Sequence, residues 1–162
     1  MDNIIVGIGQ MGAATRPAKR ITTYALGSCV AAIAFDPEAR FVGLVHIALP
    51  SSSINPEKAR VSPGHFADTG LPALLKYMRK LGANGNTAKY FFKLAGGASV
   101  SDPNNVFNVG QRNITAITRI LKSMDMRIAA SNVGERISRT VKVDVCTGRV
   151  VISSPGLPDW NL

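Results

Sequence analysis

Two apolar runs constrain this chain more than any other feature. Residues 30–35 (VAAIAF) and 41–49 (FVGLVHIAL) show no alternation of apolar and polar side chains, and only 36–40 separate them. A strand with one wet face alternates with a period of two; a strand covered on both faces does not. With Asp36 and Pro37 in the connection, and Pro37 presetting one turn dihedral, the runs read as a β-hairpin buried on both sides.

The mouth of that hairpin holds the best candidates for chemistry. Leu26, Gly27, Ser28 and Cys29 lead into the first run, and His46, one of two histidines, lies on the returning run. A turn centred near Glu38 sets Cys29 opposite Ile47 and beside His46. Directly opposed residues lie ~5 Å apart, and a one-residue slip of register moves a side chain to the other face. The spacing therefore implies that Cys29 and His46 are close, and leaves open whether they share a face.

Other segments fill in the architecture. Strands are expected at 3–8, 21–24, 88–95, 127–130, 140–145 and 149–153, with Gly27 supplying a positive φ after the second of them. Leu71, Leu74, Leu75, Met78 and Leu81 mark an amphipathic helix ended by Gly82, which starts near Pro72 or bends there if it starts near His65. A second helix begins near Val109 and presents Ile114, Ile117, Leu121 and Met124. Residues 51–64 read as a long loop, a candidate flap beside Cys29 and His46, and 101–108 as a polar loop. Strands and helices mix without strict alternation, so the expected class is α/β in the α+β sense: a layered sandwich of mixed β-sheet flanked by two main helices. One domain spans 1–153, and 154–162 form a loosely held tail that Trp160 could pin.

Composition excludes several classes. No stretch approaches the ~20 apolar residues of a membrane span, so membrane insertion is not expected, and the protein reads as cytoplasmic. The net charge of +9 favours acidic partners, but the basic residues are scattered, without the dense runs or aromatic-rich strands of nucleic-acid binders. Gly7, Gly9 and Gly12 match the dinucleotide pattern, yet Pro17 and the β-branched 21–24 stand where its helix should run, so a turn between strands is the reading. Neither a cofactor nor a metal is expected: Cys29, His46, His65 and Cys146 lack the short-interval pairs of structural zinc.

Cys146 reads as a packed thiol, whereas Cys29 stands where a tight turn meets a strand. Backbone N–H groups of Gly27, Ser28 and Cys29 can meet an oxyanion there, and a nearby imidazolium would depress the thiol pKa. His46 would serve as general base and acid, its tautomer set by a third group: Thr22, Thr23 or Asp68. His65 is the weaker alternative base.

Taken in order, Val6-Gly7-Ile8-Gly9, Leu26-Gly27-Ser28-Cys29-Val30, Asp36-Pro37, Gly43-Leu44-Val45-His46, Leu49-Pro50, Ala67-Asp68, Leu81-Gly82-Ala83, Gly96-Gly97-Ala98, Val109-Gly110-Gln111-Arg112-Asn113 and Thr147-Gly148 resemble the CheD chemoreceptor glutamine deamidases of bacterial and archaeal chemotaxis. The resemblance spans nearly the whole chain. It implies Cys29 as nucleophile, His46 as general base and Thr23 as the hydroxyl that orients the imidazole, with Ser28 and Gly27 at the oxyanion. It implies a layered fold similar to the catalytic domain of cytotoxic necrotising factor toxins. Its implied partners are chemoreceptor cytoplasmic domains, with recruitment to membrane receptor arrays, and a CheC-type phosphatase for which the chain could instead be a regulatory binding module. A thiol hydrolase acting on another amide is the third reading. The chain departs from the family's Gly-Gly pair at Gly134-Glu135, which puts the local turn in doubt.

Overall fold

The structure, a computed structural model, describes residues 3–18, 20–100, 104 and 106–162. Among these, ten strands and three α-helices follow the order β1 (Asn3–Ile5), β2 (Met11–Ala14), β3 (Arg20–Leu26), β4 (Val30–Asp36), β5 (Phe41–Ile47), α1 (Pro56–Val61), α2 (Ala67–Leu81), β6 (Phe91–Gly96), α3 (Val109–Ser123), β7 (Arg127–Val133), β8 (Arg139–Asp144), β9 (Val150–Ser153) and β10 (Trp160–Asn161). Half of the polar loop expected over 101–108, residues 101–103 and 105, lies outside the described residues.

The strands form two five-stranded sheets, ordered β1-β3-β8-β9-β10 and β2-β5-β4-β6-β7. Each is mixed: β1 runs parallel to β3 and β6 to β7, and the other pairs are antiparallel. Ile21, Val141, Val143 and Ile152 of the first sheet pack against Ala31, Ile33, Phe35, Val42 and Leu44 of the second. The opposite face of the second sheet, with Val30, Ala32, Ala34, Val45 and Ile47, packs against Leu71, Leu74 and Met78 of α2 and Ile117 and Leu121 of α3. Every residue of β4 and β5 is consequently buried, which is why their sequences do not alternate. The expected α+β sandwich is present, with both long helices on one side and a second sheet covering the other. Gly43 permits the close approach of α2, since a Cβ there would collide with the Met78 sulfur.

Several local readings change. The hairpin register is one residue away from the one centred on Glu38: Val30 pairs with Ile47 and Ala31 with His46. Gly27 does not supply the positive φ; Ala25 does, at +55°, where β3 shifts register against β8 between Thr23 and Leu26. The expected loop at 51–64 contains α1 and two 3₁₀ turns, Ser52–Ile54 and Pro63–His65. Asn55 caps α1, its side chain accepting from the Lys58 N–H at 3.1 Å, and Pro56 occupies the first turn. Only Ala59 of α1 is buried, so no apolar period announces it. Helix α2 begins at Ala67 with Pro72 inside it and ends at Gly82, φ +116°. In the C-terminal residues β10 pairs Trp160 with Ile152, and the Lys93 ammonium donates to the Leu162 oxygen at 2.9 Å.

Gly7, Gly9 and Gln10 turn the chain from β1 in one sheet to β2 in the other, and no helix follows them. The Gly9 N–H donates to the His46 carbonyl at 2.8 Å and the His46 N–H to the Gln10 carbonyl at 3.1 Å. The glycine-rich segment thus buttresses the strand that carries His46.

Candidate active site

Side-chain parity brings three residues to one end of the space between the sheets. On β3, Thr23 lies two residues from Ile21 and shares its inward face. On β5, His46 follows Val42 and Leu44 on the inward face. Cys29, one residue before β4, packs in the same inter-sheet cluster as Ala31 and Ile33. Continuing the β4–β5 register sets Cys29 opposite Ala48, so His46 is its diagonal neighbour on the same face, at the ~7–8 Å separation that a long side chain spans. The register centred on Glu38 would have put the two on opposite faces.

The hydrogen bonds fix the imidazole's tautomer. Thr23 Oγ1 lies 2.7 Å from the Val6 carbonyl and 2.7 Å from His46 Nδ1. A carbonyl only accepts, so the hydroxyl's one proton goes to Val6, and Thr23 must accept from Nδ1–H. The lone pair is then on Nε2, which is buried and has no hydrogen-bond partner among the described residues, the Cys29 thiol included. Desolvation, with a smaller repulsion from His65, lowers the His46 pKa to about 4. Burial raises the Cys29 thiol above its ordinary value, against a smaller opposing effect of its own backbone N–H. A low dielectric disfavours both charged forms, so the resting pair is a neutral thiol and a neutral imidazole. The expectation of a thiolate held by an imidazolium supposes the two charged forms that this environment disfavours.

The turn before Cys29 is anchored from behind. Ala98 N–H donates to the Gly27 carbonyl and Gly97 N–H to the Cys29 carbonyl, each at 2.8 Å. Gly96 has φ +116°, and a Cβ there would collide with the Cys29 carbonyl. The Gly96-Gly97-Ala98 segment therefore needs its first glycine for both backbone conformation and space.

The other candidates for the third group are engaged elsewhere. Thr22 donates to the Asn3 side chain at 3.0 Å, and Asp68 accepts from the N–H and hydroxyl of Ser52 at 2.8 and 2.6 Å. His65 stacks edge-on against Phe66 and borders the Gly9 turn. Cys146 is exposed and not the packed thiol expected, its sulfur 3.7 Å from the Ala18 carbonyl. No group of three or more His, Cys, Asp or Glu side chains that could hold a metal gathers among the described residues, nor is any helix there long and apolar enough to cross a membrane.

Residues 48–154 match the family model described as CheD chemotactic sensory transduction. At full length the chain is 43% identical over 162 residues to a probable chemoreceptor glutamine deamidase CheD of Syntrophotalea carbinolica, covering 100% of both chains. The chain belongs to the CheD family. It is also 38% identical over 158 residues to a probable chemoreceptor glutamine deamidase CheD 1 of Syntrophus aciditrophicus, covering 98% of each, and 40% identical over 148 residues to a probable chemoreceptor glutamine deamidase CheD of Methanococcus maripaludis, covering 91% of this chain and 92% of the other. The family model begins beyond His46, so Thr23, Cys29 and His46 fall within the span of the full-length CheD relatives alone.

Two further residues of this CheD-family chain border the site and were not read from the sequence as parts of it. Asn113, fully buried on α3, donates from Nδ2 to the carbonyls of Ser28 at 2.9 Å and Ala48 at 3.0 Å. Its signal was a polar residue on the stripe that holds Ile117 and Leu121. Arg139, also fully buried, donates to Asn132 Oδ1 at 2.7 Å and to the Gly134 carbonyl at 3.0 Å, and its Nη2 lies 3.3 Å from Glu135. Glu135 takes the glycine-like φ of +61° itself, and its carbonyl accepts from Ser99 N–H. The turn with one glycine is built, and the side chain that replaces the second glycine faces the buried guanidinium.

Proposed function

We propose that this protein deamidates glutamine side chains of chemoreceptor cytoplasmic domains, with Cys29 as nucleophile, His46 as general base and acid, and Thr23 as the group that holds the imidazole. The observation that carries the reading is the Val6–Thr23–His46 chain of hydrogen bonds, which presents an unprotonated Nε2 on the face shared with Cys29. The function itself rests on the CheD family.

The steps follow from a neutral pair. As Cys29 Sγ attacks the carboxamide carbon, its proton passes to His46 Nε2, so charge develops only during the attack. The carbonyl oxygen becomes an oxyanion met by backbone N–H groups of the Gly27, Ser28 and Cys29 turn. The Nε2 proton moves to the amine, ammonia departs, and a glutamyl thioester remains on Cys29. Water then gives a proton to Nε2 and its oxygen to the thioester, and the sulfur leaves as the thiol. The sum is glutamine and water to glutamate and ammonia. A glutamyl methyl ester would follow the same course with methanol as the leaving group. The +9 charge suits acidic receptor helices, and such substrates would draw the protein from the cytoplasm to receptor arrays.

The test is incubation with receptor cytoplasmic fragments and mass-spectrometric mapping of glutamine-to-glutamate conversion. Conversion should vanish in Cys29→Ala and His46→Ala; conversion that persists in Cys29→Ala rules the mechanism out. Tight binding of a CheC-type phosphatase with no conversion by the wild type would replace the reading with a regulatory module.

A further inference from the structure

Three consecutive carbonyls hold the turn that carries Cys29, and they are not held alike. Gly27 O and Cys29 O accept from backbone N–H groups of Ala98 and Gly97. Ser28 O, between them, depends on a side chain, Asn113, which is fully buried. The same Nδ2 donates to Ala48 O, two residues past His46. Both acceptors are carbonyl oxygens, so the amide nitrogen must face them. That orientation leaves Asn113 Oδ1 buried with no partner among the described residues. An orphaned buried acceptor costs about 1–3 kcal/mol, and an apolar residue on this stripe of α3 would instead leave Ser28 O and Ala48 O without their donor. Satisfying two carbonyls at the cost of one orphaned oxygen does not by itself say what the bond to Ser28 O does to the turn.

Peptide geometry does. In a planar trans peptide the carbonyl of Ser28 and the N–H of Cys29 point in opposite directions. Drawing Ser28 O to Asn113 turns the Cys29 N–H to the opposite side of the peptide. We infer that Asn113 is a positioning residue for the oxyanion site: it locks the Ser28–Cys29 peptide so that the Cys29 N–H faces the developing oxygen anion, and its second bond ties that peptide to the strand end carrying His46. The inference rests on the thiol acyl-transfer reading of the site, and extends it to a residue outside the Cys29, His46 and Thr23 set.

Two reactions of the same sulfur separate positioning from general support. Acylation by p-nitrophenyl acetate passes through an oxyanion: the sulfur–acyl bond forms, nitrophenolate leaves, and His46 takes the thiol proton. Alkylation by iodoacetamide forms a sulfur–carbon bond and expels iodide with no oxyanion. Both are followed at the Cys29 peptide of the full chain, with exposed Cys146 as internal standard. Asn113→Ala should slow acylation by about 10²–10³-fold, the loss typical of one oxyanion donor, while alkylation changes by less than about threefold. For receptor glutamine, kcat should fall with KM nearly unchanged. Unchanged acylation overturns the inference, as does a parallel fall in both reactions, which would make Asn113 a general support. Wild type that resists acylation overturns it too. If Asn113→Ala does not fold by circular dichroism, Asn113→Asp keeps the shape and is read by the same ratio; loss of fold in both assigns the residue to structure alone. Wild type showing the expected ratio but converting no receptor glutamine would sink the deamidase reading and leave the inference standing.

Discussion

Replacing Thr23 with valine probes the reasoning about His46 most directly. Valine keeps the shape of threonine and removes one oxygen, and that oxygen makes two buried bonds of 2.7 Å, to Val6 O and His46 Nδ1. Each buried group left unpaired costs about 1–3 kcal/mol, so with two of them stability should fall by about 2–6 kcal/mol if the tautomer is kept. With Thr23 Oγ1 gone, neither ring nitrogen has a partner among the described residues, so nothing holds the proton on Nδ1 and it is free to move to Nε2. The proton then sits on the atom required as base, and deamidation should drop by about 10²–10⁴-fold, the range of a lost general base. Nitrogen NMR of the imidazole should show Nδ1–H in the wild type and Nε2–H in Thr23→Val. Thr23→Ser, which retains the hydroxyl, should stay within about tenfold of wild type. A Thr23→Val protein that turns over at the wild-type rate, or a wild-type histidine protonated on Nε2, would refute the tautomer argument.

The remaining predictions concern charge and space. His46 has a folded pKa of about 4 against 6.5 unfolded, so the unfolded chain takes up the proton first on acidification. Its contribution is whole above the unfolded pKa and is lost as pH falls from 6.5 towards 4, a change of roughly 3 kcal/mol seen as a falling urea midpoint and absent from His46→Phe. The acid limb of kcat/KM should lie near the lower value if His46 is the base. Gly96→Ala forces an L side chain into φ +116° and against the Cys29 carbonyl, so Cys29 alkylation and deamidation should both collapse, with stability lowered by at least about 1 kcal/mol in thermal melts. Glu135→Gly should leave stability within about 1 kcal/mol of wild type: the lost ion pair is weak because the carboxylate is 70% exposed, and the relieved positive φ offsets it. Turnover on receptor fragments should slow as salt is raised, through the association step; a flat dependence would count against a role for the +9 charge in docking.

Much of the site was legible because it depends on local patterns. The two-faced burial of β4 and β5 followed from unbroken apolar runs, and the nearness of Cys29 and His46 from the short turn between them. The shared face was not legible, because it turns on a single residue of register and the Asp36 turn does not announce its centre. Helix α1 is not legible as a period because it buries only Ala59, although Asn55 and Pro56 are ordinary start signals. Among Thr22, Thr23 and Asp68, residue chemistry offered no choice, since each could bond an imidazole.

What this sequence determined by itself is the hairpin, the thiol at its mouth, the histidine on its return, and the kinship that runs the length of the chain. Those are properties of neighbours along the backbone, or of the whole string of residues. What only the tertiary structure decided is the set of partners drawn from separate elements: Thr23 from the facing sheet, Gly96 and Gly97 from β6 and the loop after it, Asn113 from α3. Their hydrogen bonds join positions 17 to 85 residues apart in the chain, and such bonds exist only where packed layers bring their groups within 3 Å in a dry interior. The same packing disfavours the charged forms of the partly buried thiol and the buried imidazole.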